Sequence, residues 1–452
     1  MKTLLIYLLL ISTASANYLD DNLKKMNWGG IDVVWLEDDS LPTYDVTVYF
    51  NEGALGDSKE LHGETEMMFS QLSSGTHRYS QKEIVESLEF YGANYGSKIT
   101  HEYTTFSVSG LVKDFVPVMK MVCHLFDDAT FPKKELVKVK SRALAGLKAM
   151  VSNHSSLASR AFRYESLKGS GFEMPTSGSM KSIKKLNSKH LASRLKFFNE
   201  SAVKRIYIKG PKEAKALKDI ILNDCRWKQG KQVRKIPVVA SLPVHDKIIF
   251  VPVPNSNQAQ VRIGRIIKTA EVQKGQEELK SFSANFLGGG FTSRLVQKLR
   301  VEKGLTYSAG SYASEQKNYG RSGISTFTKN ETIVDLLKSI KEVVEKSSND
   351  AETEPFLLSK KNIKGNYLLG LESTSDFLQN LLHFDHIEKK YEEIYEFSGV
   401  MDKVTKKDLE GMIKQLYSWE DQTILILGDK KLVKTLKKAG YKVDVKEYKN
   451  YL

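Results

Sequence analysis

His62, Glu64 and Glu66 form the first group of residues whose types and spacing suit a metal ion. Imidazole and carboxylate groups are ordinary zinc ligands, and residues four apart, such as His62 and Glu66, share one face of a helix. His77 follows shortly after the predicted helix. Because His62 precedes the helix proper, a metal site around these residues is an alternative and not the leading interpretation.

His383, His386 and Glu388 form a second group of the same kind. The two histidines are three residues apart and can therefore share a helix face. Histidines that are solvated or that cap a helix explain this pattern more simply. Ser70 is a further candidate, as a nucleophile, but no nearby histidine and acid form a pattern that would activate its hydroxyl.

The charge of the chain does not indicate nucleic acid as a partner. Among 452 residues, Lys+Arg exceed Asp+Glu by 68 − 54 = 14. The lysines are scattered over predicted helical faces, as in residues 133–140 and 434–438, without a DNA- or RNA-binding motif. The length allows two or more domains with ample cores.

The first residues have the pattern of a secretory signal peptide. Lys2 precedes the apolar run 4–11, and Ala14, Ser15 and Ala16 follow it. The pattern predicts cleavage after Ala16, and the run is too short for an ordinary membrane span; a retained anchor is the alternative. No later segment is long and apolar enough to cross a bilayer. We therefore expect a periplasmic or secreted protein with no membrane span after cleavage.

Cys123 and Cys225 each lie in an apolar helical pattern. We predict that both are buried free thiols, because the sequence alone does not bring their side chains together. Export would permit a disulfide between them.

The element order is repeated in two halves, which indicates an internal duplication. Each half mixes strands with packed helices, so the predicted fold class is α+β, with two homologous domains that each contain a mostly antiparallel sheet packed with helices. We expect a signal peptide at residues 1–16, domains at 17–225 and 244–452, and a linker at 226–243, which is basic and contains proline.

Four segments carry a specific resemblance. They are the helix with its flanking glycines at residues 63–76, the strand at 257–264, the glycine-rich turn and helix at 285–295, and the segment 299–308. Together they resemble the pitrilysin/insulinase family of zinc metallopeptidases, the inverzincins, in its short two-domain form. The resemblance covers nearly the whole chain after residue 16 and implies a half-chamber built from the two domains.

The family's zinc ligands are missing from this sequence. In the family, the motif H-x-x-E-H supplies two zinc-binding histidines and a glutamate that activates water. These three positions fall on Glu66, Phe69 and Ser70, and the third ligand position falls close to Ala145 and Gly146. The resemblance therefore implies a chain that holds no metal of its own.

Other functional positions of the family are kept. Arg300 and Tyr307 have the family's spacing of seven; in the family such a pair holds the substrate's main chain and stabilises the oxyanion that forms at a zinc site. Gly288, Gly289 and Gly290 match the glycine-rich turn. They let the backbone approach a bound peptide, or they form a tight entry into the next helix.

The resemblance implies a non-catalytic subunit of a heterodimeric zinc endopeptidase. A homologous partner with an intact H-x-x-E-H motif would hold the zinc ion, and this chain would supply Arg300 and Tyr307 to the bound peptide substrate. Two alternatives stay open: a non-enzymatic peptide-binding or scaffold protein, and a self-sufficient hydrolase with a relocated metal site around His62, Glu64 and Glu66.

Overall fold

The computed structural model describes residues 21–211, 216–233, 239, 246–267, 276–317 and 319–452. The predicted signal peptide, at residues 1–16, lies outside these residues, as does much of the predicted linker at 226–243. Within the described part of the chain, no helix combines the length and apolar character that crossing a membrane requires.

The described residues form two sets of strands and helices. The strands are β1 (Leu23–Trp28), β2 (Ile31–Glu37), β3 (Thr43–Phe50), β4 (Asn94–Ile99), β5 (Thr104–Leu111), β6 (Lys204–Gly210), β7 (Ile248–Pro252), β8 (Gln258–Ile267), β9 (Ala309–Glu315), β10 (Gly320–Lys329), β11 (Thr423–Gly428) and β12 (Val443–Val445). The helices are α1 (Glu64–Ser70), α2 (Gln81–Phe90), α3 (Phe115–Asp128), α4 (Lys133–Ala149), α5 (His154–Leu167), α6 (Met180–Lys185), α7 (Ser188–Glu200), α8 (Ala216–Asp219), α9 (Gln276–Gly288), α10 (Arg294–Val296), α11 (Ile333–Asn349), α12 (Thr353–Leu369), α13 (Thr374–His386), α14 (Glu393–Lys403), α15 (Lys406–Tyr417) and α16 (Leu432–Lys438). Two π-helical segments, Ile220–Asp224 and Gln297–Glu302, continue α8 and α10.

The strands form two six-stranded sheets with the same internal plan. Their orders are β1-β2-β6-β3-β5-β4 and β12-β7-β11-β8-β10-β9. Strands β2, β6, β3, β5 and β4 correspond in order and direction to β7, β11, β8, β10 and β9, and each set has one parallel pair followed by antiparallel pairs. This correspondence confirms the predicted α+β class and supports the duplication.

The chain divides into two compact units that are not continuous in sequence. The first unit takes its described residues from 1–144, 176–235 and 370–395, and the second from 145–175, 236–369 and 396–452. A division at residues 226–243 would place residues 145–175 in the first half and residues 370–395 in the second. The structure instead groups residues 145–175 with the second unit and residues 370–395 with the first. The predicted domain boundaries stay a prediction.

Two equivalent helices account for this exchange. In α13, Phe377, Leu378, Leu381 and Leu382 are buried in a core cluster of the first unit that includes Val34 and Tyr207. In α5, Leu157, Ala158, Ala161 and Phe162 are buried in a cluster of the second unit that includes Ile249 and Leu425. Both helices repeat the spacing i, i+1, i+4, i+5, which forms a single apolar stripe. Each fully buried large apolar side chain contributes about 1.5–3 kcal/mol relative to an exposed one.

The prediction of free thiols is wrong, because Cys123 and Cys225 form a disulfide across 102 residues. Cys123 lies in the buried face of α3, and Cys225 directly follows the π-helical segment Ile220–Asp224. The bond links α3 to the end of this π-helical segment within the first unit. The apolar pattern around each cysteine predicted its burial correctly. That pattern did not indicate that the two cysteines are close enough to form a bond.

Candidate functional site

The helix at the family's zinc position, α1, is fixed at its start by a buried aspartate. Asp57 accepts hydrogen bonds from the backbone N–H of Gly63 at 2.8 Å and of Thr65 at 3.1 Å, and from the Thr65 hydroxyl. Gly63 has φ = +92°, and a Cβ there would lie 3.0 Å from Gly178 Cα. Glycine is therefore required where the chain turns into α1.

Phe69, at the position of the family's general base, is part of the hydrophobic core. Phe69 is only 5% exposed. Its ring centre lies 5.1 Å from that of Phe198, 6.0 Å from Phe50, 6.2 Å from Phe126 and 6.5 Å from Phe106. Such ring pairs stabilise a core beyond the apolar area they bury. An ionised carboxylate placed here would lose its hydration without gaining a partner.

The two former histidine positions have local hydrogen-bonding roles. Glu66 Oε2 accepts a hydrogen bond from the Thr176 hydroxyl at 2.9 Å. Ser70 Oγ donates to the carbonyl oxygen of Met67, one turn earlier in the helix, at 2.8 Å. Both side chains are thus engaged within the first unit.

The donor set does not fit a catalytic zinc ion. Such a site needs about three protein ligands and a water molecule, whereas Glu66 and Ser70 supply one carboxylate and one hydroxyl. Phe69, Ala145 and Gly146 have no donor atom in their side chains. In the stretches that the structure describes, no three His, Cys, Asp or Glu side chains group closely enough to hold a metal ion.

Glu64, from the alternative metal site, belongs instead to a buried charged cluster. Arg194 pairs with Glu52 at 2.8 Å and lies 3.8 Å from Asp57. Burial, and then the nearby Asp57 charge, raise the pKa of Glu64 to about 7. His62 is half-buried at the entry to α1. The structure does not bring His62 and the two glutamates together as a ligand set.

His386 is neither solvated nor a simple helix cap, contrary to the predicted interpretation. It is 4% exposed, its Nε2 lies 2.8 Å from Glu102 Oε2, and its Nδ1 lies 2.9 Å from the Tyr49 hydroxyl. These contacts join α13 to the sheet of the first unit. Burial, and then the nearby His386, lower the pKa of His383, and Glu388 lies in the turn after α13 with φ = +62°.

Arg300 and Tyr307 line the same pocket as the three glycines. This pocket, in the second unit, has a volume of about 410 Å³ and includes Gly288, Gly289 and Gly290. We refer to it below as the Arg/Tyr pocket. The structure thus brings together all five positions that the sequence singled out in this half.

The elements around the pocket explain why the two polar side chains face outward. Leu295 and Leu299 are fully buried and anchor α10 and the π-helical segment that follows it; π-helical turns are rare and are common at functional sites. Arg300 is the next residue and is exposed. Gly304, with φ = +60°, then turns the chain, and Tyr307 lies just before β9.

Arg300 and Tyr307 have uncommitted polar groups. Arg300 forms no ion pair with any described side chain, and its guanidinium lies over the ring of Phe291 at 5.3 Å, a cation–π geometry. Tyr307 is 74% exposed and Phe291 76% exposed, and the Tyr307 hydroxyl has no hydrogen-bond partner in the described part of the chain. Sequence reasoning missed Phe291; an aromatic residue directly after the three glycines was the available signal.

The three glycines have different local requirements. A Cβ at Gly288 would lie 2.3 Å from the backbone nitrogen of Ser311, and one at Gly289 would lie 2.6 Å from Asn285 Cα. A Cβ at Gly290 would have no neighbour within 4 Å. Gly288 and Gly289 are therefore needed for close packing of α9, whereas Gly290 leaves space at the pocket.

Comparison with protein-family models gives a match in each half of the chain. A family model described as "Insulinase (Peptidase family M16)" matches residues 33–174, and one described as "Peptidase M16 inactive domain" matches residues 211–361. The chain belongs to the M16, or insulinase, peptidase family. The resemblance inferred from the motifs is thereby confirmed.

Curated M16 relatives match along most of their length. The "Non-peptidase homolog YmxG" of Helicobacter pylori is 23% identical over 416 residues, which cover 90% of this chain and 94% of that protein. The "Uncharacterized zinc protease YmxG" of Bacillus subtilis is 22% identical over 401 residues, covering 88% and 96%. The first of these names agrees with the donor set found here.

Solved structures share the fold. A peptidase M16 inactive domain from Pseudomonas fluorescens superposes with a TM-score of 0.80 at 20% identity, covering 90% of this chain and 98% of that chain. The periplasmic protease PqqL from Escherichia coli gives a TM-score of 0.73 at 14% identity, covering 90% of this chain and 46% of that chain. This chain therefore has the fold of inactive M16 homologues.

Proposed function

We propose that this chain is an exported, non-catalytic subunit of a heterodimeric zinc endopeptidase. A homologous partner with an intact H-x-x-E-H motif holds the zinc ion and the general base, and this chain supplies Arg300 and Tyr307. The observation that carries the proposal is the contrast at the two sites: Phe69 fills the base position with core packing, while Arg300 and Tyr307 keep unpaired donors in an open pocket.

The chemistry of the pocket suits the stabilisation of a peptide carbonyl. Arg300 offers a permanently charged guanidinium with several N–H donors, and Tyr307 offers a neutral hydroxyl. Donors that are already oriented toward the oxygen on which negative charge develops contribute several kcal/mol to lowering a barrier. The peptide substrate lies between this chain and its partner.

The disulfide supports export. Disulfides persist in oxidising compartments and are rare in the cytosol of mesophiles. The Cys123–Cys225 bond therefore agrees with the signal-peptide pattern at residues 1–16 and with a periplasmic or secreted location.

The test measures peptide turnover by the complex of this chain with a homologous H-x-x-E-H subunit from the same source. We expect Arg300→Ala to lower kcat by about 10²-fold or more, and Tyr307→Phe by about tenfold to 10²-fold, because each removes a donor to the oxyanion. Gel filtration should show that both variant complexes still assemble.

Arg78→Ala and Tyr79→Phe are matched controls, because both residues expose part of their side chains in the first unit. Neither should change kcat. If Arg300→Ala and Tyr307→Phe also leave turnover unchanged in an assembled complex, the proposal is wrong.

A non-enzymatic peptide-binding or scaffold protein is the second candidate, favoured by the name of the non-peptidase homolog in Helicobacter pylori. It predicts that no H-x-x-E-H partner restores proteolysis. Metal analysis of the isolated chain separates both candidates from a self-sufficient hydrolase, since only the hydrolase requires stoichiometric zinc.

A further inference from the structure

A second pocket adjoins the Arg/Tyr pocket in the second unit. It has a volume of about 310 Å³ and shares Gly289, Gly290 and Phe291 with the Arg/Tyr pocket. We call it the asparagine pocket, because Asn285 of α9 and Asn362 of α12 contribute to its lining, together with the residues described below. A peptide held at Arg300 can therefore extend a neighbouring side chain or terminus into it.

One face of α12 supplies much of the lining. Ser359, Asn362 and Asn366 follow each other at intervals of three and four residues, and residues so spaced lie on the same side of a helix. Asn285 approaches this face from α9, and Ser359 Oγ donates a hydrogen bond to Asn285 Oδ1 at 2.9 Å. The face is polar but carries no charge.

The amide donors of this pocket are not used within the chain. Because Asn285 Oδ1 already accepts from Ser359, the free end of that amide is the Nδ2 group, an orientation assigned from the hydrogen-bond network. In the part of the chain that the structure describes, the Asn362 and Asn366 side chains make no hydrogen bond. The pocket thus presents several N–H donors to a ligand.

The charge of the pocket is positive. Arg294 lines it, and the described lining residues include no aspartate or glutamate. Arg294 Nη2 lies 2.9 Å from Glu352, but Glu352 also pairs with Lys346 at 2.6 Å, so these three side chains together keep one positive charge. Arg300, in the adjoining pocket, adds another.

We propose that the asparagine pocket is a carboxylate subsite. If the proposed function holds, this subsite gives the complex a preference for peptides with an acidic side chain or a free C-terminus next to the residues that Arg300 holds. Several N–H groups and an arginine match the acceptor oxygens of a carboxylate. A lysine or arginine side chain offers no acceptor to these N–H groups; it can donate to the asparagine carbonyl oxygens, but Arg294 repels its charge.

The test measures binding to the isolated chain by fluorescence anisotropy, without any catalytic partner. Labelled peptide pools of one length carry Glu, Gln or Lys at the central position with an amidated C-terminus; a further pool has Gln at the centre and a free C-terminus. We expect the Glu pool to bind about fivefold or more tightly than the Gln pool, as for one charge-assisted contact at a partly exposed site.

A preference for the free C-terminus over its amidated counterpart would also support the subsite and would identify its source as the chain terminus. Equal binding of the Glu, Gln and free-terminus pools, or no binding of any pool, would overturn the inference. This readout is independent of turnover, so the loss of activity expected of Arg300→Ala is tested separately.

Variants assign the preference to the pocket. Asn362→Ala combined with Asn366→Ala should reduce the Glu-over-Gln ratio to about twofold or less; both residues are exposed on a helix and alanine favours that helix. Arg294→Gln should have the same effect. Lys361→Gln, which removes a positive charge from the exposed surface of the same helix, is the control. If Lys361→Gln lowers the ratio as much as the pocket variants do, general electrostatic attraction explains it and the subsite is wrong.

Discussion

The α1 region of the first unit and the Arg/Tyr pocket of the second unit occupy equivalent halves of a duplicated fold, yet their side chains are used in opposite ways. At α1, Phe69 packs among four other phenylalanines and Glu66 binds Thr176. In the Arg/Tyr pocket, Arg300 and Tyr307 are exposed. In the described chain, Arg300 stacks on the Phe291 ring but forms no ion pair, and the Tyr307 hydroxyl has no hydrogen-bond partner.

Under the proposed function, this difference separates a lost catalytic site from one that still binds a ligand. A position that no longer serves chemistry is free to stabilise the fold, and Phe69 does so. A position that serves a ligand, as we propose for Arg300 and Tyr307, keeps its polar groups unpaired, and these groups do not stabilise the folded chain. The contrast can therefore be measured. Removing a buried side chain near α1 should lower the free energy of unfolding, whereas removing an exposed side chain of the Arg/Tyr pocket should leave it unchanged.

The largest expected effect is at Phe69. Phe69→Ala should lower the free energy of unfolding by about 3–5 kcal/mol, because it leaves a cavity in an aromatic core. Phe291→Ala and Phe90→Ala, at exposed phenylalanines, should change it by less than about 0.5 kcal/mol. Urea denaturation measures all three; a cost at Phe69 no greater than at Phe291 would remove the contrast.

The disulfide should act on the first unit alone. Replacing Cys123 and Cys225 together by serine should lower the stability of that unit by about 2–4 kcal/mol, since the bond closes a long loop in the unfolded chain. Hydrogen exchange should show faster opening in α3 and no change in α11 of the second unit, which contains no cysteine. Two titratable thiols in the unfolded, unreduced protein would refute the bond itself.

Glu64 makes the first unit sensitive to pH. Because its pKa of about 7 in the folded protein lies above its ordinary value, the folded state holds a proton that the unfolded state releases. This contribution is fully present below about pH 4.5 and is lost as the pH rises through about 7. Between about pH 5 and about pH 8 the loss should amount to about 1–3 kcal/mol.

Glu64→Gln tests this directly, because it removes the titration. Its unfolding free energy should fall less than that of the wild type over the same pH range, whereas Glu89→Gln, on the exposed face of α2, should follow the wild type. Identical pH slopes for wild type and Glu64→Gln would contradict the assignment.

The smallest expected effect distinguishes the glycines of the Arg/Tyr pocket. Gly288→Ala should cost about 1–2 kcal/mol, because its Cβ would meet the Ser311 backbone. Gly290→Ala should cost less than about 0.5 kcal/mol, because the space beside it is empty. If Gly290→Ala instead weakens peptide binding without affecting the urea midpoint, the third glycine serves the ligand.

The sequence predicted the second site better than the first. Arg300, Tyr307 and the glycines lie within twenty residues of one another, and short connections keep such positions close in space. The resemblance to the family singled these positions out, and their short separation made a shared pocket the expected arrangement. The sequence could also identify the missing ligands at Glu66, Phe69 and Ser70, but not the contacts that replaced them.

Long-range pairings were beyond the sequence. Apolar stripes predicted that α5 and α13 pack against something, but not which sheet each would cover. His386 was interpreted as solvated or as a helix cap; its partners Glu102 and Tyr49 lie about three hundred positions earlier, where no local pattern points to them. The Cys123–Cys225 bond was missed for the same reason.

The exchange of α5 and α13 has a consequence for biosynthesis. While a ribosome is still making the later part of the chain, the first unit lacks α13, which supplies Phe377 and Leu381 to its core. The first unit therefore cannot complete its core before residue 395 has left the ribosome. A fragment cut at the linker would be an incomplete module, and the two fragments should regain native structure only when expressed together.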